Sequence, residues 1–262
     1  MGNIIINFSK LSMYKILLGK KFIGTLVYLF ILPFLIIKLS NWSADSNAWN
    51  SIFFIFGNRY IYFLSLITPF LLLLDEIENG NNIQYCVNRF LKKKHVILSQ
   101  ILTMFMISII LTIYLFSVVV GQSFLFLGFD LDWSIETQQQ LDFYTSFASS
   151  LTPLESLPFF ILRYFFSLIF IGSFYFYWQS ITNRGYMRIG MLLILFYLFA
   201  NAVFNFINIP VLSIIDISQS FVYQYKQEKE IVPYLAQNHC WLLGFCLILQ
   251  FYALLLCKKV RY

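Results

Sequence analysis

Charge along this chain comes in short runs separated by long apolar segments. Residues 60–74 (YIYFLSLITPFLLLL) and 96–120 hold no charged side chain, and between them lies the densest charged run, 75–95 (DEIENGNNIQYCVNRFLKKKH). A bilayer core asks for about 20 consecutive apolar residues from a crossing helix. Six segments meet that demand: about 22–39, 57–74, 96–120, 157–180, 189–208 and 240–257. The pattern predicts an all-α integral membrane protein with one transmembrane domain over 1–262.

The polar segments between the spans assign their sides. Residues 1–21 hold Lys10, Lys15, Lys20 and Lys21 and no acid, and Ile4, Phe8, Leu11 and Leu18 make a partial helical stripe into which Lys15 falls. This predicts an N-terminal surface helix ahead of the first span. Residues 41–59 read as a short outer loop whose Trp42 and Trp49 suit the membrane interface, and Pro69 falls near the middle of the second span, where it serves either as a hinge or as a tolerated kink. Residues 121–155 contain Asp130, Asp132, Glu136, Asp142 and Glu155 and no Lys or Arg, which places them outside. Arg163, two turns into the fourth span, is expected to snorkel to its outer end. Residues 209–217 (IPVLSIIDI) are apolar yet too short to cross, a candidate re-entrant outer segment between spans five and six. With both termini cytoplasmic, the inner side collects Lys10, Lys15, Lys20, Lys21, Arg89, Lys92, Lys93, Lys94, Arg184, Arg188, Lys258, Lys259 and Arg261, thirteen of the eighteen basic residues. The reverse orientation inverts that bias.

Composition excludes several classes of function. A chain 60% hydrophobic and 11% charged cannot hide its apolar surface in one soluble core. Its net charge of +6 flanks the spans, so a nucleic-acid partner is not expected. Cys86, Cys240, Cys246 and Cys257 form no CxxC pair, and His95 and His239 are the only histidines, so no metal site is proposed. Gly172–Ser173 is not part of a G-x-S-x-G elbow, and the span centres contain no carboxylate, so neither peptidase nor proton-coupled transport has its chemistry here. What they do contain is amide polarity. Asn201, Asn205 and Asn208 fall at i, i+4 and i+7 of the fifth span, where they line a pathway or dimer interface or else hydrogen-bond a neighbouring helix.

Within 75–95, Gly80 supplies a helix stop, Asn81 or Asn82 a cap, and Ile83, Val87, Phe90 and Leu91 one apolar face. The resulting short amphipathic helix lies at the cytoplasmic surface, either as a coupling element or as a solvated connector. With six spans, both ends inside and this charged loop between spans two and three, the chain resembles the type 2 permease family of ABC exporters. Glu76, Glu78, Gly80, Arg89 and Lys92 to Lys94 resemble that family's E-x-x-x-G-like turn, coupling helix and basic entry to the third span; the proline-serine-arginine ending often found there is replaced by FLKKKHVILSQ.

The resemblance implies a transmembrane subunit that pairs with a second permease copy or a paralogue and with separate ABC ATPase subunits. ATP and magnesium would be held by the ATPase, with no cofactor in this chain. It implies ATPase coupling through Glu76, Glu78, Gly80, Ile83, Val87, Arg89, Phe90, Leu91, Lys92 and Lys93. It further implies location in a bacterial cytoplasmic membrane and export of a hydrophobic or amphipathic substrate such as a peptide, in the manner of bacteriocin export or immunity. The competing expectation is a membrane scaffold or immunity protein that binds a peptide without transporting it. Because no GxxxxGK[ST] motif occurs, the chain purified free of other proteins is expected to hydrolyse no ATP; phosphate release by it alone would overturn the separate-ATPase expectation.

Overall fold

The computed structural model describes residues 2–42, 44–58, 61–79, 93–130, 132–134, 151–181, 190, 193 and 231–256. Among them every regular element is helical and none is a strand: α1 (Gly2–Leu17), α2 (Lys20–Leu39), α3 (Ala48–Gly57), a π-helical segment (Ile61–Ile67), α4 (Thr68–Asn79), α5 (Lys93–Leu127), α6 (Pro153–Ile181) and α7 (Ile231–Leu256). Four of them, α2, α5, α6 and α7, are long and apolar enough to cross a membrane. This is the build of a helical membrane protein. The span expected at 189–208, the re-entrant candidate 209–217 and the amphipathic segment 83–91 lie outside the described residues.

Burial separates the helices into a centre and a rim. On α2 only the narrow stripe Phe22, Thr25, Leu29, Pro33 and Ile37 is buried, so most of its surface is left for lipid. On α6 the buried positions run nearly without interruption from Phe166 to Phe176. A helix apolar and buried on all sides sits in the middle of its bundle, and α6 touches α4, α5 and α7.

Side-chain contacts fix the direction of each helix. Along α2 and α5, Tyr114 donates to the Leu26 carbonyl at 2.9 Å, Gln122 Nε2 to the Phe30 carbonyl at 3.0 Å, and Phe34 meets Phe126 edge-on, so the two helices run parallel. The His239 ring of α7 lies beside Phe159 and Phe166, and Gln250 Nε2 donates to Ser173 Oγ at 2.8 Å. α7 and α6 therefore also run parallel to each other.

Several elements depart from the boundaries that hydropathy predicts. Residues 48–57 are not loop but helix α3, started by a capping box in which Asn47 accepts from the chain ahead and Asn50 returns the bond. Trp49 is fully buried rather than interfacial, with its Nε1 donating to the Asp130 carbonyl at 2.8 Å. α5 does not stop at residue 120 but runs to Leu127, because Gln122 and Ser123 find partners in Phe30 and Ser51; Gly128, at φ +78°, ends it in the left-handed conformation that glycine adopts freely. α6 begins at Pro153, one turn before the expected 157. There Thr152 N–H donates to Glu155 at 2.8 Å and Glu155 N–H to Thr152 Oγ1 at 3.4 Å. α1 turns Ser9 and Ile16 toward the bundle, where Ser9 Oγ pairs with Thr103 Oγ1 of α5 at 3.0 Å, and leaves Leu11 and Leu18 of the apolar stripe exposed.

The segment read as one continuous span at 57–74 is broken. Asn58 ends α3 through its N–H to the Phe54 carbonyl and opens the next helix by accepting from Ile61 N–H at 3.3 Å on Oδ1. Seven residues of π-helix follow, and Pro69, second residue of α4 and buried, stands where the winding changes. Proline has no N–H to give to the preceding turn, so the position expected to bend the span is where the helix alters its pitch.

α5 and α6 approach closely at Gly172. A Cβ built there would collide with the Met104 thioether and lie 2.8 Å from Met104 Cγ and 3.6 Å from Leu74. The missing side chain at Gly172 leaves the space that the Met104 thioether fills. Gly172→Val is expected to lower stability by about 1–3 kcal/mol, the usual cost of overpacking, and Met104→Ala should recover much of it; thermal unfolding in detergent measures both, and a neutral Gly172→Val would refute the close crossing.

Candidate functional site

The candidate site is built where α4 leaves the bundle, immediately before residues 80–92. α4 ends in acidic side chains, Asp75, Glu76 and Glu78. The C-terminal end of a helix carries partial negative charge, so carboxylates there are destabilising unless other elements answer them. Two do. Lys21, at the start of α2, brings its Nζ to 2.7 Å from Glu76 Oε1. Tyr175 of α6 donates its hydroxyl to Asp75 Oδ1 at 3.1 Å. Beneath them Leu73, Leu74 and Ile77 are buried in the core. The last turn of α4 is thus tied on one side to the rim helix α2 and on the other to the central helix α6.

Farther toward the N-terminal end of α6 lies a second polar cluster. Tyr62 Oη shares a 2.7 Å hydrogen bond with Ser167 Oγ and reaches the Arg163 carbonyl at 3.4 Å, while Tyr164 Oη donates to the Leu66 carbonyl at 3.1 Å. Both tyrosines are buried, and their rings meet edge-on. Arg163 does not snorkel to the end of its span as hydropathy suggested. It is 6% exposed, because α6 is the central helix and its third turn is walled in by the π-helical segment. A buried arginine in a membrane bundle is costly and marks a position under functional or architectural demand.

Of the residues named from sequence, Glu76 is placed in the Lys21 pair and Pro69 at the change of helical pitch. Glu78 lies in the last turn of α4 and Lys93 begins α5, which puts both on helices that flank 80–92. Gly80, Ile83, Val87, Arg89, Phe90, Leu91 and Lys92 lie outside the described residues, as do Asn201, Asn205 and Asn208. Sequence reasoning missed Lys21 and Tyr175 as partners of the acidic turn, and Gly172 as the crossing point. Lys21 was counted only as positive charge; Gly172–Ser173 was weighed as part of a nucleophile motif, although paired small residues in an apolar helix are equally a packing signal. Among the described residues no three His, Cys, Asp or Glu side chains group as metal ligands. No family model, curated protein or solved structure matches this chain.

The Lys21–Glu76 pair is half exposed at Lys21 and more than a third exposed at Glu76. Its own contribution to stability is therefore about 0.2–1 kcal/mol. Its weight lies in alignment. Lys21→Glu and Glu76→Lys are each expected to unfold at a lower temperature than the parent, and the charge-reversed double variant to recover most of the loss. A double variant no better than the sum of the singles would show that the two side chains do not interact.

Proposed function

We propose that this chain is the permease subunit of an ABC exporter in a bacterial cytoplasmic membrane, moving a hydrophobic or amphipathic substrate such as a peptide, with energy from a separate ATPase. In this reading it has six spans with both termini cytoplasmic, the Lys21–Glu76 end of the bundle faces the cytoplasm, and it works paired with a second copy or paralogue. Two features of the fold support the topology. The basic residues Lys10, Lys15 and Lys20 lead into the end where Lys21 meets Glu76. α6 and α7 run parallel, so residues 182–230 connect opposite ends of the bundle, as one further crossing between them would.

One observation carries the functional reading: the helix that enters 80–92 is clamped from two sides, by Lys21 on α2 and by Tyr175 on α6. A surface connector needs no such attachment. A coupling element does, because a push at 80–92 has to reach the helices around the substrate rather than be lost in fraying of α4. α4 is further backed by the Gly172–Met104 crossing, so its end, α5 and α6 move together. Nearer the opposite end, the change of pitch at Pro69 offers a place where the crossing bends. The row Asn201, Asn205, Asn208 is assigned to the pathway or dimer interface.

The amphipathic helix 83–91 docks its apolar face on the ATPase in this mechanism. Burying a side chain such as Phe90 or Leu91 yields about 1.5–3 kcal/mol, and a helix this short is marginal in water without such cover. Val87→Asp with Phe90→Asp is expected to abolish co-purification of the ATPase while the permease still inserts in the membrane. Retained ATPase binding and retained efflux in that double variant would leave the segment a connector and favour the non-transporting scaffold.

A further inference from the structure

α1 presents to its surroundings a face that is basic and apolar together. Its opposite side is held on α5 by the buried Ser9–Thr103 hydrogen bond and by Ile16, 5% exposed. What remains outward includes Leu11, Tyr14 and Leu18, respectively 64%, 66% and 73% exposed. These fall at i, i+3 and i+7, one stripe of a helix. Lys10 and Lys15 flank that stripe, one on each side, and Lys20 follows across the Gly19 turn; all three are exposed, whereas Lys21 is engaged by Glu76. No acidic residue occurs anywhere in 1–21.

We infer that this face of α1, together with Lys20, binds anionic phospholipid headgroups of the membrane that holds the protein. The placement of α1 selects lipid as the occupant. It joins the bundle near the level where charge first appears on α2 and α4, at Lys21 and Glu76, which is the edge of the apolar zone. A helix at that level covers its apolar stripe with acyl chains, and lysines beside the stripe extend their stems along it and lift their ammonium groups to the phosphates. With no carboxylate on α1 to neutralise them, three lysines distinguish an anionic headgroup from a zwitterionic one. Near a membrane surface each basic side chain contributes roughly a fivefold preference. The inference rests on the membrane reading of the fold and not on the exporter reading, since it requires neither ATPase nor substrate.

The experiment uses the full chain in nanodiscs of equal phosphatidylglycerol and phosphatidylcholine. After extraction in mild detergent, the lipid still bound is quantified by native mass spectrometry. The parent protein is expected to retain phosphatidylglycerol in excess over the supplied ratio. In Lys10→Gln, Lys15→Gln, Lys20→Gln combined, that excess should disappear, while the corresponding triple arginine variant keeps it. Lys38→Gln, at the far end of α2 where Lys38 sits over the Phe126 ring, should leave it unchanged. Equal unfolding temperatures in phosphatidylcholine alone establish that the glutamine variant folds; if it does not, the three single variants are compared, each expected to lose about fivefold in preference. Undiminished phosphatidylglycerol in folded glutamine variants overturns the assignment, and so does an equal loss in Lys38→Gln.

Discussion

A bilayer interior offers no water to a backbone that leaves its helix, so each break in a crossing has to be repaired by the protein itself. The helical segment from α3 to α4 is broken at Asn58 and rewound at Pro69, and much of the surrounding structure follows from how those places are mended. Asn58 bonds both the helix it ends and the helix it begins. The Leu66 carbonyl, close to the proline that can donate nothing, receives the Tyr164 hydroxyl, and Tyr62 is anchored on Ser167. These repairs come from α6, and they help to explain why that helix is central and buried nearly all round. They also enclose Arg163, whose side chain would reach an interface if α6 lay at the rim.

The two ends of that segment are held differently. At one end α3 is buried and pinned by directional bonds to carbonyls: Trp49 to Asp130 and Asn47 to Asp132. At the other, α4 ends in carboxylates whose charge opposes the helix dipole, and it is steadied by a lysine and a tyrosine from two different helices. A charged, partly exposed attachment yields more readily than a buried aromatic one. The change of pitch at Pro69 lies between the Lys21–Glu76 end and the pinned α3.

Much of the fold was legible along the chain. Apolar runs located α2, α5, α6 and α7 within a few residues at one end or both, and Pro69 marked the change of winding. The site was legible only in part. The acidic turn at 75–78 stood out by its charge, but its partners did not: Lys21 lies far upstream, and Tyr175 is one of 17 tyrosines. Helix α3 was mistaken for loop because ten residues with two polar side chains cannot be told from a connector until something covers them. The apolar stripe of α1 was legible, but the side it turns to the bundle was not, because Ser9 is held there by a hydroxyl on Thr103, 94 positions away.

The division has a physical cause. Whether a segment enters a bilayer depends on its own length and transfer free energy, properties local to the chain, and these by themselves determined that this is a helical membrane protein with charge gathered between its spans. Which serine meets which threonine, whether an arginine is enclosed or free to snorkel, and what steadies a carboxylate at a helix end depend on residues about 50 to 100 positions apart. Those were decided only when α6 took the centre of the bundle and α4, α5 and α7 packed around it.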